Sequence, residues 1–105
     1  MAQTWIIAID KVDNAPQGQP QAAYDPPSQT VTAGDIIYWR NNDDIPHWPA
    51  PNAQSETAWM DYQIPGKLQG QPAPTSQQAV SFSAAGTYNY VCALHPDETG
   101  TIVAQ

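Results

Sequence analysis

The chain has 105 residues, a formal net charge of −7 and a single cysteine, so it reads as one domain, residues 1–105, whose core forms without an internal disulfide. Ten acidic residues stand against only Lys11, Arg40 and Lys67, which argues against a nucleic-acid or anionic-lipid surface and favours a basic protein partner. Four Trp, five Tyr and a hydrophobic share of 41% argue against a disordered chain.

The pattern is β throughout, punctuated by turn signals. Residues 4–9 form a β-rich run; its apolar stretch, residues 5–9, is far too short to span a membrane. Met1-Ala2-Gln3 shows neither a basic n-region nor a cleavage site, leaving open a cytosolic chain or a mature secreted one with a start Met added. Residues 13–27 are polar and proline-rich and read as a long loop or an edge excursion. Residues 28–32 alternate as a strand, Ala33-Gly34-Asp35 turns, and residues 36–40 return as the hairpin partner. Residues 41–51 are turn-like, and Pro46, Pro49 and Pro51 stiffen the loop around His47 and Trp48. Residues 54–64 fit either a short strand at 59–62 or one helical turn, with Met60 packing against Trp59. Residues 65–74 are irregular, residues 79–83 read as a strand, and Ala84-Ala85-Gly86 turns. Residues 87–92 alternate with Tyr88 and Tyr90 on one face, residues 93–99 form a loop, and residues 100–104 close as the last strand. Roughly seven or eight short strands in such a length predict an all-β, Greek-key antiparallel sandwich. Eleven prolines leave no room for a helical bundle.

Chemistry can reside in few places. The sole cysteine and one of two histidines sit together in Cys92-Ala93-Leu94-His95, and the other histidine, His47, lies in the proline-rich loop. A thiolate with two imidazoles suits copper, zinc or iron and is the donor set of blue-copper centres. Alone, these residues are weak signals, because a lone buried cysteine is usually inert and a lone histidine usually just hydrogen-bonded. A Cys92 nucleophile with a His47 base is a further reading, but no oxyanion hole is legible.

The flanking sequence carries more. Gly34-Asp35-Ile36-Ile37-Tyr38-Trp39-Arg40-Asn41, followed by Asp43-Asp44-Ile45-Pro46-His47, resembles the first-ligand segment of cupredoxins such as plastocyanin, amicyanin and pseudoazurin. Gly86-Thr87-Tyr88-Asn89-Tyr90-Val91-Cys92-Ala93-Leu94-His95-Pro96 is similar to the family's ligand loop, and Gly100-Thr101-Ile102-Val103 to its last strand. The loop length is nearest to amicyanin-like proteins. The resemblance implies a cupredoxin-like sandwich holding one copper ion through His47, Cys92 and His95, with both imidazoles bound through Nδ1. It implies that Asn41 ties the two ligand segments together, and that Leu94, Pro96, Ile45 and Trp48 form an apolar patch beside His95. It also implies a one-electron carrier rather than an enzyme, a monomer serving a redox partner protein, and a periplasmic or extracellular location.

One position departs from the family. Three residues beyond His95, where most relatives place an axial Met, stands Glu98, in His95-Pro96-Asp97-Glu98-Thr99-Gly100. Glu98 can coordinate the copper axially, face solvent as surface acids do, or mark a site that prefers zinc. The first is adopted, with Asp97 as the outward acid of the pair. A carboxylate favours Cu(II) over Cu(I), so it predicts a lower potential and a colour moved from blue toward green or red. The alternative function is a copper enzyme or small-molecule-binding protein of the nitrosocyanin type, whose site also carries a Glu. A copper chaperone fits less well, since no Met-rich or multi-Cys motif is present.

Overall fold

A computed structural model describes residues 2–51 and 63–105. Residues 54–62 of the ambiguous segment, with the expected strand at 59–62 and the Met60–Trp59 packing, lie outside the described residues.

A run rich in β-branched residues sets the first strand, β1 (Thr4–Lys11), which buries Ile7 and Ile9 while Ile6 faces solvent. β2 (Ala22–Asp25) pairs antiparallel with β1 and turns Ala22 and Tyr24 inward. Pro26 and Pro27 then end the ladder, since neither can donate to it, and the chain crosses to a second sheet as β3 (Ser28–Val31). After the turn at residues 33–35, β4 (Ile36–Asn41) returns to the first sheet and buries Ile37, Trp39 and Asn41. β5 (Pro49–Pro51), β6 (Gly86–Cys92) and β7 (His95–Ala104) complete the second sheet. The sheet orders are β2-β1-β4 and β3-β7-β6-β5. Among the described residues there are thus seven strands in two layers, as a β-sandwich requires.

Several details differ from the sequence reading or refine it. Both sheets are mixed rather than antiparallel, because β1 runs parallel to β4 and β3 parallel to β7. The expected hairpin at residues 28–40 is instead a corner between sheets. Gly34, at φ 95°, makes the turn, and the Asp35 carboxylate pins it by accepting from the amides of Gln3 and Thr32 and from Trp5 Nε1. The polar stretch 13–27, read as a long loop or an edge excursion, contains the edge strand β2, whose two inward residues are too few to give a period. The expected strand at 79–83 is reduced to a bridge between Ile37 and Val80.

Between the sheets Tyr24 and Trp39 meet Tyr90 edge-on, at ring-centroid distances of 4.7 and 5.4 Å. Ile7, Ile9, Ile37 and Ile102 surround them, fully buried, and each contributes roughly 1.5–3 kcal/mol. Tyr90 lies across Gly100 on the neighbouring strand, where a side chain would meet its ring. This core forms the floor on which the ligand-bearing loops rest. No helix among the described residues is long and apolar enough to cross a membrane.

Candidate metal centre

Cys92 is the last residue of β6, and period two puts its thiol on the same inward face as Tyr90. The β6–β7 ladder is regular to Val91↔Thr99 and then jumps to Cys92↔His95. That irregularity lifts residues 96–98 out of register and gathers His95 and Glu98 around Cys92, as bulges beside functional sites commonly do. β7 therefore starts at His95, earlier than the expected residue 100. Glu98 belongs to the inward series of β7 with Gly100, Ile102 and Ala104, whereas Asp97 faces solvent.

His47 arrives from the loop after β4. Its backbone exchanges two hydrogen bonds with Ile64, at 3.1 and 2.8 Å, so the loop is held like a short piece of sheet. The loop is joined to the Cys92 segment at Trp48. The Trp48 amide lies 3.3 Å from Cys92 Sγ, and the Trp48 carbonyl accepts from the Ala93 amide at 2.8 Å. Asn41 does not make this link. Its amide nitrogen donates to the carbonyls of Ile45 and Pro65, and its oxygen accepts from the Asp43 amide, so it closes the His47 loop on itself and on residue 65.

The candidate donor atoms of His47, Cys92, His95 and Glu98 lie within 4.8 Å of one another, the one such cluster among the described residues. Cys92 Sγ is 3.7 Å from His47 Nδ1 and 3.4 Å from His95 Nδ1. Glu98 Oε1 is 3.0 Å from His47 Nδ1 and 3.4 Å from His95 Nδ1. Each imidazole thus turns the same nitrogen, Nδ1, toward the thiol and the carboxylate. His47, Cys92 and Glu98 are buried, while His95 keeps 33% of its side chain exposed. Leu94 and Ile45, at 42% and 38% exposed, and Pro96 are open to solvent on the two ligand loops, but Trp48 packs partly against the core.

The electrostatics are those of opposite charges crowded out of water. Burial works against the His47 cation, yet its contacts with Cys92, Asp43 and Glu98 push its pKa up to about 9. Burial likewise opposes the Cys92 thiolate, but His47 and the amide of Trp48 bring its pKa down to about 7. Glu98 is held above the usual carboxylate range by burial, against the pull of the two histidines. One neighbour escaped the sequence reading: Asp43, buried behind His47, with Oδ2 2.8 Å from Nε2. Its spacing four residues before His47 was the available signal, but Asp43-Asp44 reads as a solvated turn.

Two sheets over one aromatic core, with a thiol, two imidazoles and a carboxylate converging at one end, make a β-sandwich with a candidate metal site. Residues 12–105 match the copper binding proteins of the plastocyanin/azurin family, and the chain belongs to that family of cupredoxins, whose cofactor is copper. Amicyanin-alpha of Methylorubrum extorquens is 27% identical over 106 residues, which cover 93% of this chain and 82% of that protein. A plastocyanin of Synechococcus sp. is 31% identical over 99 residues, covering 90% of this chain and 66% of its own length. Among solved structures, a novel purple cupredoxin from Nitrosopumilus maritimus is similar with a TM-score of 0.65 at 20% identity, over 95% of this chain and 98% of that one.

Proposed function

We propose that the protein is a one-electron carrier whose copper would be held by His47, Cys92, His95 and Glu98. The observation that carries this reading is Glu98 Oε1, a buried oxygen whose polar neighbours are the Nδ1 atoms of His47 and His95, at 3.0 and 3.4 Å, neither in a well-directed hydrogen bond. A buried acceptor without a donor costs about 1–3 kcal/mol, and more when charged. A cation within reach of Oε1, Sγ and both Nδ1 atoms would offset that cost, and soft thiolate with imidazole suits copper.

Copper, when bound, supplies the Cu(I)/Cu(II) couple. The chain's residues supply the rest. Cys92 serves as the deprotonated strong donor, and its already lowered pKa makes that deprotonation easy at neutral pH. His47 and His95 serve as neutral imidazoles through Nδ1. A backbone bridge, a strand end and the β6–β7 irregularity fix the four donor side chains in place, the rigidity that a redox metal would need. The partly exposed edge of His95 is the electron's way in and out. A basic redox partner suits the net charge of −7, and a periplasmic or extracellular setting suits the family likeness.

The test is a titration of Cu(II) into the metal-free protein, followed by visible absorption. An intense thiolate-to-copper band that saturates at one equivalent, lies toward green or red, and is unmoved by azide supports a closed carrier site. Absence of the band would remove Cys92 as a ligand and overturn the reading. A band shifted by azide would favour the enzyme instead.

A further inference from the structure

Asp43 touches none of the donor atoms, yet it is fastened behind one of them. Its carboxylate faces His47 Nε2 at 2.8 Å, on the side of the ring opposite to Nδ1, and both residues are buried. Every polar atom of Asp43 has a partner. Oδ1 accepts from the Asp44 amide at 2.8 Å, the Asp43 amide donates to Asn41 Oδ1 at 3.0 Å, and the Asp43 carbonyl accepts from the Lys67 amide at 2.8 Å. Gly66 presses against the Asp44 backbone, where any side chain would clash. These contacts hold the carboxylate facing the ring.

A neutral imidazole has one N–H and one lone pair, and the partner of one nitrogen decides the role of the other. With a fixed carboxylate at Nε2, the proton belongs on Nε2 and the lone pair points from Nδ1 toward Cys92 and Glu98. The opposite tautomer would set a lone pair against a buried anion and leave that anion unpaired, a costly arrangement. We propose that Asp43 is a positioning residue of the centre: it fixes His47 as the Nε2–H tautomer, and its buried negative charge makes His47 a stronger donor that biases bound copper toward Cu(II). This rests on the copper reading above.

The experiment uses the copper-loaded protein, unmodified and as Asp43→Asn and Asp43→Ala. In the unmodified Cu(I) protein, nitrogen-15 histidine NMR should place the His47 proton on Nε2. Because no substitution is involved, this arm stands even if a variant fails to fold. Asp43→Ala should lose roughly 10–100-fold in Cu(II) affinity against a competing chelator, as loss of such outer partners does. Asp43→Asn keeps the shape and an acceptor but removes the charge. It should shift the Cu(II)/Cu(I) ratio at fixed ambient potential about tenfold toward Cu(I), or ~59 mV. A His47 proton on Nδ1, or an Asp43→Asn protein within twofold of the unmodified ratio while its thiolate–copper band persists, would overturn this role alone. No thiolate–copper band in the unmodified protein would overturn the copper reading, and this role with it.

Discussion

Glu98 Oε1 lies 3.0 Å from His47 Nδ1, bringing a carboxylate of the last strand against an imidazole from the loop after β4. Both side chains are buried, and among the described residues no well-directed hydrogen bond satisfies Oε1. Burial holds the Glu98 carboxyl above its ordinary range. A group with a raised folded pKa stabilises the fold below its unfolded pKa, and that contribution is lost as pH rises through the folded value. At neutral pH the metal-free protein therefore carries Glu98 at a cost. Metal-free Glu98→Met should be more stable by about 1–3 kcal/mol in urea denaturation at pH 7, with the gain shrinking in acid. A variant no more stable than the original would show that the carboxylate is satisfied without metal.

Metal should stabilise the fold, because ligands from separate segments come together only when it is folded. Copper in thousandfold excess over its dissociation constant should add about 4 kcal/mol, and chelation should remove it. Cys92→Ser should abolish the thiolate band and most of this gain, while leaving the far-UV circular dichroism of the sandwich intact. Thermal denaturation with and without copper checks both statements.

Asp35 supports the corner between the sheets rather than the metal. Its pKa is lowered by the amide of Gln3, then by Trp5 Nε1 and the amide of Thr32. A depressed carboxyl contributes stability above its unfolded pKa and loses it as pH falls through the folded value. Asp35→Asn should therefore lower the melting temperature at pH 7 and converge with the original protein in acid. Parallel melting curves at all pH values would contradict that role.

Gly100 tests the packing beneath the site. A Cβ there meets the ring of Tyr90, which Tyr24 and Trp39 hold in place. Gly100→Ala should cost about 1–3 kcal/mol as overpacking, measured by urea denaturation.

The sequence made the soft donors legible because only one cysteine and two histidines exist to be placed. β1, β4 and β6 were legible because each is rich in β-branched and aromatic residues, and β6 alternates as well. The pairing was not: β1 with β4 and β3 with β7 are parallel contacts between distant segments, and local periodicity is silent on which strand lies beside which. β7 began too late because Pro96, Asp97 and Glu98 look like loop residues. Extending the inward series of Ile102 and Gly100 back by two reaches Glu98. Asp43 stayed hidden because burial of an acid follows from what folds over it, here the stretch from Ile64 to Lys67, and not from its neighbours in sequence.

The reduction potential of the copper-loaded protein, measured beside Glu98→Met in the same buffer, tests the axial carboxylate most directly. A hard anionic oxygen favours Cu(II), so the Met variant should have the higher potential, by about 59 mV or more for each tenfold in the equilibrium, with its absorption moved toward blue. An unchanged potential together with an unchanged spectrum would contradict coordination by Glu98.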